Sequence, residues 1–157
     1  MMRALVTGSA QGIGRAIADT LVGRGYGVVG ADIQVQESAG FEVLELDVSD
    51  TGACRRAVAQ LGRVDVLVNN AGVLVERPPE SISDEEFDLT MAVNLRAPFV
   101  LSVAVSEGMK ERRWGRIINI SSVGARTGGI SQSSAYAASK AGLLALTKNF
   151  ARNLGPF

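Results

Sequence analysis

Tyr136 and Lys140 lie four residues apart in the run YAASK, within a segment whose pattern predicts a helix, and Ser122 precedes them. Side chains at positions i and i+4 of a helix share one face, with Cβ atoms about 5–6 Å apart. A lysine ammonium at that distance stabilises the phenolate form of the tyrosine. The pair is therefore suited to donating and accepting a proton near neutral pH.

The composition excludes several kinds of site. The 157 residues include no histidine and one cysteine, Cys54, which excludes serine–histidine triads, histidine-ligated metals and an internal disulfide. One thiolate cannot build a zinc site either, so no metal is expected. Acidic and basic residues balance at 16 each, which gives no reason to expect nucleic acid or a membrane as partner. No apolar stretch is judged long enough to span a membrane, and the lone cysteine fits the reducing cytoplasm.

Short apolar runs alternate with helical patterns, and these elements must position the reactive side chains. Strands are expected at Arg3–Thr7, Gly27–Asp32, Glu42–Leu46, Val64–Asn69 and Arg116–Ser121. Helices are expected at Gly12–Arg24 and at about 51–61, 84–111 and 134–154. Strands that are apolar on both faces and separated by helices indicate an α/β fold. We expect a parallel sheet covered by helices on both sides, in a single domain over residues 1–157.

The helix expected over 84–111 carries two local signals. Ser83 and Glu86 form a capping box at its start. Pro98 cannot donate a hydrogen bond to the carbonyl four residues earlier, which belongs to Asn94. We therefore expect a kink at Asn94 and a carbonyl free to bind water. A straight helix with Asn94 facing solvent would contradict this hypothesis.

The run TGSAQGIG, Thr7–Gly14, joins the first strand to the first helix. Glycines at such a junction let the backbone approach a pyrophosphate, whose charge the helix N-terminus stabilises. The spacing is GxxxGxG rather than GxGxxG, so the common dinucleotide fingerprint is not matched literally. A tight strand-to-helix turn without a ligand is the alternative.

Asp32 ends the second strand, where a carboxylate can accept hydrogen bonds from an adenosine ribose. The same carboxylate repels a 2′-phosphate, and neither Ile33 nor Gln11 offers a compensating positive charge. NAD is therefore favoured over NADP as cofactor. An ordinary surface carboxylate is the alternative if the glycine loop binds nothing.

Taken together, five motifs resemble the short-chain dehydrogenase/reductase family over the whole chain. They are TGxxxGIG (Thr7–Gly14), NNAG (Asn69–Gly72), Asn94, Ser122 and YAASK (Tyr136–Lys140). The resemblance implies a Rossmann-like doubly wound sheet that binds a nicotinamide dinucleotide. It also implies hydride transfer between NAD(H) and a small secondary alcohol or ketone.

The resemblance further implies a role for each catalytic residue. Tyr136 is expected to act as general acid or base, and Lys140 to assist it and bind the nicotinamide ribose. Ser122 is expected to orient the substrate oxygen, and the Asn94 carbonyl to hold a relay water. The alternatives without catalysis are that Ser122 is an ordinary serine at a strand end and that Tyr136 and Lys140 are an ordinary exposed pair on a helix.

The resemblance also implies a set of cofactor-binding residues. They are Gly8, Gln11, Gly12, Ile13, Gly14, Asp32, Asp47, Val48, Asn69, Ala71 and Gly72, together with Tyr136 and Lys140. Asp47 is expected to contact the adenine, with Val48 contributing its backbone, but Asp47 could equally cap a helix. Asn69 and Asn70 could tie neighbouring strands instead of touching the ligand. Cys54 is expected to be a packing residue.

The chain departs from the family pattern in two places. Only nine residues, Ile33 to Phe41, separate the second and third strands, so the helix usual there is expected to be missing. The chain stops at Phe157, before the sixth strand, substrate lid and seventh strand of the family. We therefore expect a truncated piece of a longer enzyme, with the fifth strand as an exposed apolar edge.

Two functions stay open at this point. The first is an NAD-dependent oxidoreductase that pairs into a homodimer or homotetramer through its two long helices. The second is a catalytically silent NAD-binding or assembly fragment of such an enzyme.

Overall fold

A parallel sheet of five strands forms the centre of the computed structural model, which describes residues 1–35, 40–129 and 133–157. The strands are β1 (Arg3–Thr7), β2 (Gly27–Asp32), β3 (Glu42–Glu45), β4 (Val66–Asn69) and β5 (Arg116–Asn119). Their order in the sheet is β3-β2-β1-β4-β5. The chain moves outward from β1 to β3 and then returns to the other side of β1. This reversal is the doubly wound, Rossmann-like topology, and it leaves a crevice at the carboxyl ends of β1 and β4.

Helices pack on both faces of the sheet. They are α1 (Gly12–Gly23), α2 (Thr51–Leu61), α3 (Asp84–Met91), α4 (Ala97–Glu111), α5 (Gly124–Thr127) and α6 (Ser134–Leu154). A 3₁₀ turn covers Pro79–Ser81, and a π turn at Ala92–Arg96 joins α3 to α4 in one rod. The predicted capping box is present, because the Ser83 hydroxyl accepts from the Glu86 amide at 3.2 Å. The Glu86 carboxylate in turn accepts from the Ser83 amide at 3.1 Å.

The alternating side chains of the strands explain why these strands are apolar at almost every position. Leu5 of β1 packs with α2 and α4 on one face of the sheet, where Cys54 and Leu101 are also buried. Its neighbours Ala4 and Val6 pack against α1 on the other face. In a strand that is buried on both faces, every side chain lies in the core, so apolar and polar residues do not alternate.

Three strand ends differ from the expected bounds: β3 ends at Glu45, β4 begins at Val66 and β5 ends at Asn119. Leu46 and Ile120 still donate their amides to the neighbouring strand, at 2.9 and 3.0 Å. The chain then leaves the sheet, which carries the following polar residues into the loops at the crevice. The connection between β2 and β3 includes residues 36–39, which lie outside the described part, so the expected loss of a helix there stays a prediction.

Asp65 forms hydrogen bonds and ion pairs at the end of the sheet opposite the crevice. Its side chain is 1% exposed and accepts from the Arg3 amide at 2.8 Å and from the Arg63 guanidinium at 2.9 Å. The Arg112 guanidinium at the end of α4 approaches to 3.5 Å. Burial by itself would raise the pKa of Asp65, but these hydrogen bonds and positive charges hold it below its ordinary value. The carboxylate therefore ties β1, β4 and α4 together far from the crevice.

One expectation about apolar length was wrong. The rod Asp84–Glu111 has 28 residues and is, by length and composition only, apolar enough to cross a membrane. In the fold, 56% of its most apolar segment is buried against the protein. Packing in the core accounts for this apolarity.

The outer edge of β5 is apolar, as expected. Within the described residues, β5 pairs with β4 alone, and Ile118 is 46% exposed. A groove of about 420 Å³ runs beside this edge, with Trp114, Phe150 and Leu154 among its walls.

Candidate active site

The crevice gathers residues that follow the carboxyl ends of the strands. Gly8 follows β1, Asp32 ends β2, Asn69 ends β4 and Ser122 lies shortly after β5. Carboxyl ends of parallel strands meet at one edge of the sheet, so residues distant in sequence come together there. Tyr136 and Lys140 reach the same edge from α6, which is tied to the residues after β5.

Lys140 is deeply buried beside Tyr136. Its side chain is 3% exposed, and its Nζ lies 5.6 Å from the centre of the half-buried Tyr136 ring. The ammonium donates to the Ile120 carbonyl at 2.8 Å, and the Ser121 hydroxyl donates to the Lys140 carbonyl at 3.2 Å. Burial lowers the pKa of Lys140. The two side chains therefore share one helix face, and the Ile120 carbonyl holds the lysine in place.

Asn94 lies at the centre of the π turn and is fully buried. The Ala97 amide donates to the Ala92 carbonyl, a five-residue spacing that widens the helix. The rod is therefore irregular at Asn94, and Asn94 does not face solvent, while the expected kink and free Asn94 carbonyl stay predictions. The side-chain amide of Asn94 donates to the Val73 carbonyl at 2.9 Å, while its oxygen accepts from the Val73 amide at 2.9 Å.

Ser122 opens the loop that follows β5. Its half-buried hydroxyl accepts from the Gly124 amide at 3.2 Å, at the start of α5. The neighbouring Ser121 hydroxyl is already used to tie β5 to α6. Within the described residues, the Ser121 hydroxyl therefore has an acceptor for its hydrogen, whereas the Ser122 hydroxyl has none.

The glycines of the loop between β1 and α1 differ in the space around them. Gly8 has a φ of +67°, and a Cβ there would lie 2.8 Å from the Ala71 Cα. A Cβ on Gly14 would overlap the Gly8 carbonyl oxygen. Gly12 has a φ of +58°, yet no atom lies within 4 Å of the place its Cβ would take. The loop therefore closes tightly on the protein at Gly8 and Gly14 and leaves open space at Gly12.

That open space fits a pyrophosphate. Gly12 is the first residue of α1, where unpaired backbone amides carry partial positive charge. The side chains of Gln11 and Ile13 on either side are exposed, the latter by 63%.

Asp32 lies against the same loop. One oxygen of its carboxylate accepts from the Ala10 amide at 2.9 Å, and the other accepts from the Gln34 amide at 3.0 Å. The carboxylate thus fixes the loop and remains half-exposed beside it.

Asp47 does not cap α2. That role belongs to Asp50, whose carboxylate accepts from the Gly52 and Ala53 amides at 2.8 and 2.9 Å. Asp47 is exposed, and its carboxylate accepts from the Ser49 amide at 2.8 Å; its contact with adenine stays a prediction. Val48 is buried and has its backbone carbonyl bound by the Cys54 thiol at 3.4 Å.

Cys54 is a packing residue, as expected. It is fully buried, and burial together with nearby carboxylates raises the pKa of its thiol to about 11. The thiolate that reacts with electrophiles is therefore scarce at neutral pH.

The two asparagines of the NNAG motif act as structural ties. Asn69 is 2% exposed and donates to the Asn119 carboxamide oxygen at 2.8 Å. Asn70 donates to the Thr7 and Gly8 carbonyls, both at 3.0 Å. The structural alternative therefore holds for both side chains, and Asn70 clamps the glycine loop.

Ala71 and Gly72 continue this segment into the crevice. The Ala71 amide donates to the Thr7 hydroxyl at 3.1 Å. A Cβ on the exposed Gly72 would lie 3.4 Å from the Asn94 side-chain oxygen and 3.6 Å from Lys140 Nζ. Gly72 thus borders the catalytic candidates directly.

Sequence reasoning missed the polar residues that hold these candidates in place. Thr7 accepts from two amides of the NNAG segment, and Ser139 bonds Asn94 at 3.1 Å. Thr147 accepts from the Asn119 side chain at 2.9 Å. Helical spacing was the available signal for Thr147, which lies seven residues after Lys140 and so on the same face.

The model of one protein family, described as short chain dehydrogenase, matches residues 2–157. The chain belongs to the short-chain dehydrogenase family. Members similar in sequence include the 3-oxoacyl-[acyl-carrier-protein] reductase FabG of Salmonella typhimurium, 40% identical over 163 residues, and the L-xylulose reductase of Bos taurus, 38% identical over 162 residues. The matches cover 96% and 98% of this chain. Each spans 66% of the length of the relative.

Solved structures of short-chain dehydrogenases superpose closely on this fold. A 4-hydroxyisoleucine dehydrogenase complexed with NADH gives a TM-score of 0.93 at 31% identity, covering 99% of this chain and 70% of that one. A metagenomic short-chain oxidoreductase in complex with NADP gives 0.92 at 34% identity, covering 99% and 76%. Both nicotinamide cofactors therefore occur among similar structures.

Proposed function

We propose that this short-chain dehydrogenase interconverts a small secondary alcohol and a ketone, using NAD(H). The observation that carries the proposal is the buried Lys140 ammonium beside the Tyr136 ring, at the edge of a Rossmann-like crevice. A buried cation next to a phenol favours the ionised form of that phenol. Family membership supplies the reaction class, since the chain matches the family model over residues 2–157.

Tyr136 holds the proton that the reaction moves. In reduction its hydroxyl gives a proton to the substrate oxygen, and in oxidation its phenolate takes one from the alcohol. Lys140 stabilises the phenolate from its site on the Ile120 carbonyl. The Ser122 hydroxyl orients the substrate oxygen, and the main-chain carbonyl of Asn94 holds a water that renews the proton. The nicotinamide, when bound, supplies or accepts the hydride.

The cofactor lies across the glycine loop in this proposal. The amides at Gly12 and the rest of the Gly8–Gly14 turn receive the pyrophosphate. Asp32 accepts from the adenosine ribose, and its charge favours NAD over NADP. Asp47 and Val48 border the adenine, and Ala71 and Gly72 line the crevice between the two halves. Asn69 supports this wall from the buried side.

Exchange of Tyr136 for phenylalanine tests the catalytic role. Tyr136→Phe removes the hydroxyl while keeping the ring, so we expect turnover to fall by about a hundredfold or more. The dissociation constant for NAD, measured by calorimetry, is expected to change by less than about twofold, because the ring contacts remain. Turnover is followed as NADH absorbance with a panel of secondary alcohols and ketones.

Tyr26→Phe is the matched control, since Tyr26 is the only other tyrosine and packs against α1 away from the crevice. Turnover by Tyr136→Phe at the wild-type rate would refute the role of Tyr136. NAD binding by the wild type without turnover of any substrate would instead favour a silent NAD-binding module.

The same protein is proposed to act in the cytoplasm as a homodimer. A groove of about 770 Å³ separates the α3–α4 rod from α6, and Leu95, Phe99 and Leu146 contribute apolar walls. Phe99 is 45% exposed. Apolar surface at the contact of two long helices suits burial against a second copy.

Charge complementarity also favours a second copy. Asp88 and Arg96 line the groove, and neither forms an ion pair within the described residues. They lie four residues before and four residues after Ala92. An antiparallel copy related by a two-fold axis near Ala92 places Asp88 opposite the partner's Arg96, and the pair occurs twice.

A further inference from the structure

Ser139 lies between Tyr136 and Lys140 in the sequence, on α6, and its side chain is fully buried. Its hydroxyl donates to the Tyr136 carbonyl at 2.7 Å and accepts from the side-chain amide of Asn94 at 3.1 Å. One hydroxyl therefore joins the first turns of α6 to the π turn of the α3–α4 rod.

The hydrogen bonds of Asn94 are complete only because of this contact. One N–H of its side chain donates to the Val73 carbonyl and the other to Ser139, while its oxygen accepts from the Val73 amide. All of this occurs at a residue with 0% exposure. A buried donor that loses its acceptor cannot turn to solvent, so it costs more than an exposed one.

The same contact is one of the ties that hold α6 at the crevice, beside the bonds of Lys140 to Ile120 and Ser121. Lys140 Nζ and the Asn94 side-chain oxygen lie 3.6 and 3.4 Å from one point, the place that a Cβ on Gly72 would take. Lys140 follows Ser139 directly, and Tyr136 is one turn earlier. A shift of α6 against Asn94 moves both reactive side chains together.

We propose that Ser139 is a positioning residue, whose hydroxyl locks the Tyr136–Lys140 turn of α6 to Asn94. The inference rests on the proposed function for its effect on turnover, but the geometric claim concerns the burial of Lys140 and can be measured alone. Ser139 touches neither substrate nor cofactor in this proposal.

The test uses Ser139→Ala in the full chain. Without the hydroxyl, α6 loses its link to Asn94, and Lys140 becomes more accessible. We expect the rate at which acetic anhydride acetylates Lys140, followed by mass spectrometry, to rise about fivefold. We expect kcat to fall by about tenfold while the KM for NAD changes by less than twofold, because the adenosine side is untouched.

Thr147→Val is the matched control. The Thr147 hydroxyl also bonds back to its own helix, at 2.7 Å to the Leu143 carbonyl, and it accepts from the Asn119 side chain of β5 at 2.9 Å rather than from Asn94. Both variants therefore lose a hydroxyl of α6 and one bond to another element, whereas only Ser139→Ala loses the link to Asn94. Equal acetylation of Lys140 in the two variants would overturn the proposal.

A double-mutant cycle with Asn94→Ala isolates the link further. If Ser139 acts through Asn94, adding Ser139→Ala to Asn94→Ala leaves the acetylation rate of Lys140 unchanged. Additive effects of the two substitutions would contradict the proposal. If acetylation behaves as expected but Tyr136→Phe keeps full turnover, the positioning holds and the proposed chemistry fails.

Discussion

In the proposed function, the choice between NAD and NADP depends on Asp32. Its two oxygens each accept a backbone amide, from Ala10 and Gln34, and a carboxylate has further lone pairs for a ribose. A phosphate on that ribose would meet a negative charge fixed in place by these two bonds. Similar structures hold NADH in one case and NADP in another. The comparisons therefore leave the choice of cofactor open, and the proposal for NAD depends on the charge of the carboxylate.

Asp32→Asn removes the charge and keeps one acceptor oxygen. We expect the dissociation constant for NAD to rise by about tenfold, since a charged acceptor contributes more than a neutral one, and NADP to bind relatively better. Calorimetric titration with both cofactors measures the change. Glu45→Gln is the control, because Glu45 pairs with Asp32 in the register of β2 and β3. Tighter binding of NADP than NAD by the wild type would contradict the assignment.

Contacts local in sequence could be predicted, and distant ones could not. Tyr136 and Lys140 are neighbours because of helix geometry alone. The partner of Ser139 lies 45 residues away, on another helix, so no local pattern indicates it. Asp47 and Asp50 are both acidic residues before α2, and only the course of the backbone decides that Asp50 is the cap.

Among the elements, β1 and β2 have the bounds that the sequence predicted, whereas the helix predicted over 84–111 is the α3–α4 rod, interrupted by a π turn. Its capping box and its irregularity at Asn94 follow from single residues, Ser83 and Pro98. Strand ends were less predictable, since β3 and β5 stop opposite the last residues of β2 and β4 rather than where apolar residues end. Leu46, one residue beyond β3, is still buried.

Ser83→Ala should destabilise this rod at its start. The substitution leaves the Glu86 amide without its side-chain acceptor, and we expect the free energy of unfolding to fall by about 1 kcal/mol. Ser83→Gly is expected to cost only a few tenths of a kcal/mol, because glycine lets water reach the free amides. Urea denaturation of both variants measures the difference. Equal losses would show that the cap contributes nothing beyond backbone conformation.

At the scale of the whole molecule, the fold class followed from the alternation of strands and helices. Apolar residues on both faces of each strand required two layers of helices, and the core has both. For the proposed pairing of two copies, the resemblance implied the two long helices but no particular side chains. Exposure of Phe99 and the unpaired charges of Asp88 and Arg96 become apparent only when α6 is placed beside the rod.

Charge reversal tests the proposed dimer. Asp88→Arg alone and Arg96→Asp alone each set like charges against each other at two places, so we expect the dimer to dissociate about tenfold more readily. The double variant restores opposite charges and should recover the wild-type dissociation constant in sedimentation equilibrium. A monomeric wild type, or a double variant as weak as the single ones, would exclude this arrangement.

Cys54 gives the molecule a built-in reporter. The chain has one thiol, fully buried on the core face of α2 with a pKa of about 11, so an alkylating reagent reaches it only when that region opens. The labelling rate then measures the fraction of time during which the adenosine half of the sheet is open. Bound cofactor would lower the alkylation rate of Cys54, because a ligand of the folded state suppresses opening, and no engineered probe is needed.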